Sequence, residues 1–139
     1  MSGGIIENCD VGVATDHKGV SFTISGGTIR NNNEGIMLWG NSENCVVTIS
    51  GGTIEKNGGW GLHLEGADSG FEKKKGAIIY GNSGDNKNGD DGAIEVYCSK
   101  KESNSLHLDV DAGKDEVYAA KINSGQTDIV EGSKQGPNW

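Results

Sequence analysis

Val20-Ser21-Phe22-Thr23-Ile24-Ser25-Gly26-Gly27-Thr28-Ile29 returns 25 residues later as Cys45-Val46-Val47-Thr48-Ile49-Ser50-Gly51-Gly52-Thr53-Ile54. Two weaker copies flank this pair. Ser2-Gly3-Gly4-Ile5-Ile6 opens the chain, and Lys75-Gly76-Ala77-Ile78-Ile79 keeps one glycine. A fixed period of roughly 20–50 residues marks a repeat architecture. Working outward, apolar residues alternate in short runs: Phe22/Ile24, Val47/Ile49, Ile36/Leu38, Leu62/Leu64, Ile94/Val96 and Leu106/Leu108/Val110. Period-two alternation predicts half-buried strands. Gly/Asn turns separate the runs, and no helix-length amphipathic segment lies between them. Parallel strands normally need long crossovers. A coil of this length avoids them, because each turn returns the chain beside its own previous strand. The pattern therefore predicts an all-β solenoid of about five coils. The coils span 1–110. Residues 111–139 abandon the repeat as a last irregular coil or a C-terminal cap, within one domain.

Composition agrees. Gly supplies 24 of 139 residues, Pro only one, and hydrophobic residues 33%. Gly and Asn are poor helix formers, which argues against a helical bundle. A net charge of −8 and a single arginine, Arg30, argue against nucleic-acid binding. The only basic run is Lys73-Lys74-Lys75. No apolar stretch approaches the roughly 20 residues of a membrane-spanning helix. Met1-Ser2-Gly3-Gly4 has neither the basic start nor the apolar stretch of a secretory leader. Cys9, Cys45 and Cys98 lie far apart, without a CxxC pair or a His at ligand spacing. They read as buried small hydrophobes rather than a metal site. Cys9, Asn32, Asn57 and Asn82 fall in register from copy to copy. Stacked Asn side chains in successive turns hydrogen-bond along the axis as a ladder, so this column reads as structural rather than ligand-binding.

The Ser-Gly-Gly-Thr-Ile unit, followed by Asn-rich turns and Gly-apolar-X-apolar strands, resembles the right-handed parallel β-helix proteins of the pectate-lyase-like superfold. More narrowly, it is similar to Gly-rich surface repeat proteins of spirochaetes and other anaerobic bacteria, over about residues 2–110. In those proteins such units precede segments like Ile79-Tyr80-Gly81-Asn82 and Ala93-Ile94-Glu95-Val96-Tyr97. The resemblance implies a right-handed coil, an extracellular or cell-surface location, and structural display or adhesion to a polysaccharide or a host or surface protein.

If Ile36/Leu38, Leu62/Leu64 and Ile94/Val96 point inward, their neighbours point outward. One outward column is then Met37, His63, Glu95, and the next is Trp39, Glu65, Tyr97. Trp60 sits at the rim. With adjacent coils ~4.8 Å apart, these residues make one patch. Flat rings stack on sugar faces and polar groups read hydroxyls, so the patch is the candidate ligand-binding site. The plainer reading is that such residues merely decorate a stable sheet.

The alternative function is a polysaccharide lyase or glycoside hydrolase of the same superfold. Gly89-Asp90-Asp91-Gly92 resembles the paired aspartates of polygalacturonases, but their Gly-His-Gly and Arg-X-Lys motifs are missing. Pectate lyases need calcium-binding aspartates and a basic catalytic residue, and no acidic cluster is fixed beside Arg30. Glu65 and Glu95, on adjacent coils, are the best candidates for paired acid/base work. His17 and His107 belong to no constellation. The non-catalytic reading is favoured. Asp85, Asn86, Asn88, Asp90 and Asp91 offer oxygen ligands for calcium in a six-residue insertion between Asn82 and Gly92, though their spacing is not that of an EF-hand. No other cofactor is implied. An open solenoid end is a template for pairing. Coil one starts directly inside a repeat, whereas Gly136-Pro137-Asn138-Trp139 reads as a stop. Self-association is therefore expected through the N-terminal coil, at 2–24.

Overall fold

The computed structural model describes residues 1–82 in full and, beyond them, the backbone of strands 96–98, 105–108 and 120–122. Every element among the described residues is a strand, and every strand pairing is parallel. One sheet contains β1 (Ser2–Glu7), β3 (Ser21–Arg30), β5 (Val46–Glu55), β7 (Gly70–Lys73) and β10 (Ser105–Leu108) in that spatial order, with β8 (Ala77–Tyr80) also on β5. The second contains β2 (Val11–Thr15), β4 (Glu34–Leu38), β6 (Leu62–Leu64), β9 (Val96–Cys98) and β11 (Ala120–Ile122). Through β6 the chain alternates between the sheets, so each turn lays one strand on each; β7 and β8 then both join the first sheet. This is the expected β-solenoid, with about three regular turns, over residues 1–82, rather than five. Dividing chain length by the period assumes an unbroken repeat. The fourth copy already breaks it, because the continuous strand of β3 and β5 becomes two strands, β7 and β8.

The core lies between the sheets. Ile24, Ile36, Ile49 and Leu62 are buried as the alternation required. Ile24 pairs with Ile49, and Ile36 with Leu62, one turn away. Cys45, Val47, Phe71 and Ala77 complete the cluster. Ile94 lies outside the described residues.

Both glycines of the repeat are dictated by the neighbouring turn. A Cβ on Gly51 would lie 2.4 Å from the Ser25 carbonyl oxygen, and one on Gly52 would lie 2.6 Å from that of Gly27. Gly27 and Gly52 also take φ of 91° and 84°, a left-handed conformation that glycine adopts without steric cost. The ladder column forms as read. Asn32 Nδ2 donates to Asn57 Oδ1 (3.1 Å), and Asn57 Nδ2 donates to Asn82 Oδ1 (2.7 Å). The same Oδ1 atoms accept from the backbone N–H of Asn32 and Asn57. Cys9 heads the column by donating its backbone N–H to Asn32 Oδ1. Its thiol is exposed, against expectation, whereas Cys45 is buried. Cys9 stands on the first described turn.

Candidate functional site

The site is built on the outer face of β4 and β6. Ile36 and Leu38 face the core beside Leu62 and Leu64, all fully buried. Met37 and His63, between them, face the other way and pair in register. Here the sequence reading is corrected. Met37 and His63 are only 4% and 7% exposed, so they are not surface groups. The outer face carries its own covering layer. Trp60 lies edge-on to the His63 ring, with centroids 4.6 Å apart. Glu65 Oε1 is 3.1 Å from His63 Nε2, and Glu34 Oε2 is 3.7 Å from Nδ1. Glu34 is itself fixed, because its Oε2 accepts the Trp60 backbone N–H at 3.0 Å. An imidazole thus sits between two half-buried carboxylates under an indole. Glu34 was not among the sequence candidates. Its position two residues before Ile36 puts it on the inward phase of the alternation, and that hid it.

Trp39, just past β4, is 41% exposed, as the alternation predicted. Its backbone N–H donates to the Thr15 carbonyl, and the Glu65 N–H donates to the Leu38 carbonyl, so Trp39 and Glu65 occupy neighbouring turns. Asp16, Trp39, Gly40 and Asn41 line a pocket of about 290 Å³. A Cβ on Gly40 would lie 3.9 Å from Glu65 Oε2, so the Glu65 carboxylate lies close to Gly40. Asp16 and Asn41 were not sequence candidates either, since turn residues outside the alternating runs carry no phase. Asp16 also pairs with the exposed His17.

Register in the next turn differs from expectation by two residues. Val96, not Ile94, pairs with Leu62, and Tyr97 pairs with His63 rather than with Glu65. The two-residue slip keeps the phase but moves Tyr97 into the Met37–His63 column. It arises because the insertion after Asn82 makes this turn's length unreadable from the period. Glu95 lies outside the described residues, and so do all five calcium candidates, Asp85, Asn86, Asn88, Asp90 and Asp91. Among the described residues, no three His, Cys, Asp or Glu side chains are grouped to hold a metal ion. No helix among them is long and apolar enough to cross a membrane. Comparison with protein-family models, curated proteins and solved structures gives no match for this chain.

Proposed function

We propose that this chain is a non-catalytic β-helix segment of a bacterial surface or secreted protein, and that it adheres to a glycan through the pocket at Trp39. The observation that carries the reading is the exposed Trp39 beside Asp16 and Asn41 in one pocket. An indole offers a flat apolar face for a pyranose ring, and the polar groups around it accept hydrogen bonds from hydroxyls. The resemblance to Gly-rich surface repeat proteins supports the location. The lining is acidic, and Lys18 nearby is paired with Glu43 at 2.8 Å. Such a surface favours neutral or amine-bearing sugars over polyuronates, since like charges repel an anionic chain. A glycan array followed by titration calorimetry tests the reading. Trp39→Ala should abolish measurable binding while leaving the melting temperature within a few degrees of the parent. Absence of any glycan ligand, or unchanged binding by the variant, overturns it.

The second reading, polysaccharide hydrolysis, is favoured by Glu34 and Glu65 flanking His63. Paired carboxylates are the usual acid/base equipment of glycosidases. Release of reducing ends from a glycan that binds, lost in Glu65→Gln, would establish it over adhesion. Self-association through the N-terminal coil rests on Ile5, 57% exposed on β1. Light scattering of the Ile5→Lys variant tests it, since an unchanged oligomer places the contact elsewhere.

A further inference from the structure

The Asn57-Gly58 pair stands at the centre of the ladder. In an unfolded chain this dipeptide is chemically labile. The Gly58 backbone nitrogen attacks the Asn57 side-chain carbonyl carbon, and ammonia leaves as a cyclic succinimide forms. Water then opens the ring to aspartate or isoaspartate. Glycine allows this because it puts no Cβ in the path of the attack.

The fold blocks each part of that reaction. Gly58 N–H donates to the Asn32 carbonyl at 2.8 Å, which fixes the nucleophile away from its target. The Asn57 side chain is fully buried. Its Nδ2 donates to Asn82 Oδ1 at 2.7 Å and to the Ile29 carbonyl at 3.4 Å. Its Oδ1 accepts both the backbone N–H and the Nδ2 of Asn32, each at 3.1 Å. The amide can neither rotate toward Gly58 nor meet water without opening the turn.

The product would not fit where the amide was. One carboxylate oxygen could replace Oδ1. The other would replace Nδ2 and face two acceptors, Asn82 Oδ1 and the Ile29 carbonyl, in a buried site where an unmatched polar group is strongly unfavourable. Isoaspartate would also insert an extra backbone carbon into the corner and shift the register of everything after it.

We propose that Asn57 is a modification site gated by folding. It is inert in the native solenoid, deamidates when this turn opens, and once converted prevents the turn from closing again. Excursions from the native state thereby become irreversible.

The test incubates the chain at mildly alkaline pH, folded in buffer and unfolded in urea, and locates deamidation by peptide mass spectrometry. Conversion at Asn57 is expected to be at least ~100-fold slower in the folded protein, because reaction then depends on the small open population. Asn88-Gly89 shares the local sequence and calibrates the rate in urea. Gly58→Ala separates chemistry from folding. A Cβ there meets nothing closer than 3.8 Å and the residue has no positive φ, so the variant should fold with an unchanged melting temperature. In urea it should deamidate at Asn57 several-fold more slowly than the parent. Asn57→Asp should reproduce the deamidated state and lose cooperative unfolding or show a clearly lowered midpoint. Equal rates in folded and unfolded protein would overturn the gating. Full recovery of the native circular dichroism and melting temperature by deamidated chain would overturn the irreversibility.

Discussion

At the residue scale, the solenoid is fixed by a few positions that take a left-handed backbone. Asn8, Asn31 and Lys56 have φ of 60°, 53° and 53°, and Gly81 has 65°. Each immediately precedes a member of the ladder column: Cys9, Asn32, Asn57 or Asn82. A second set, Gly19, Asn44 and Asp68, precedes Val20, Cys45 and Ser69 in the same way. Glycine and asparagine enter this conformation easily, and other residues do so at a cost of about 1 kcal/mol or more. Lys56 is the misfit of its column. Because it is exposed, its replacement sacrifices no packing. Lys56→Asn should therefore stabilise the fold by up to ~1 kcal/mol, read as a higher urea midpoint with an unchanged slope. These columns were legible as Asn-rich turns, but their regular recurrence was not. The residue identities vary within each column, and only the backbone angle is constant.

At the element scale, strands are held by what stacks along the axis rather than by each strand's own sequence. Ile49 has Ile24 on one side and Lys73 of β7 on the other in register, and is fully buried. Ile49→Ala should cost ~2–5 kcal/mol by chemical denaturation, the range for a buried large-to-small change. Gly35, the second residue of β4, lies against the ladder. A Cβ there would lie 2.4 Å from the Gly61 carbonyl oxygen and 3.1 Å from Asn57 Nδ2. Gly35→Ala should destabilise by ~1–3 kcal/mol through overpacking, against no comparable effect at Gly58. The inward phase of these strands was readable because burial leaves a period-two trace in apolar residues. The outward face was less readable. Met37 and His63 were placed on the correct side, but the cover over His63 combines Trp60 and Glu65 of its own turn with Glu34 of the neighbouring one. A periodicity within one strand holds no information about that.

At the scale of the whole molecule, each turn touches only the turns beside it, so stability accumulates as a sum of nearest-neighbour terms. The Trp39 pocket follows the same rule. It needs Asp16 from one turn and Trp39, Gly40 and Asn41 from the next. A peptide containing a single repeat should therefore bind no glycan, and its circular dichroism should lack a strand signature, because one unpaired turn buries too little. The fold class was legible because a repeated motif constrains architecture directly. The pocket was not, because it is assembled across turns of unequal length. The equal interval between the left-handed corner at Asn31 and that at Lys56 has a consequence for how such chains lengthen and shorten. Excising Asn32 through Lys56 joins Asn31 directly to Asn57, a junction chemically equivalent to the one removed. Such a splice preserves corner, ladder and phase together, whereas removing one residue fewer turns every following side chain to the opposite face. Unequal crossing-over between gene segments encoding neighbouring turns thus yields folded variants only in whole-turn steps. Heritable length changes in a protein of this kind are quantised by its own corners.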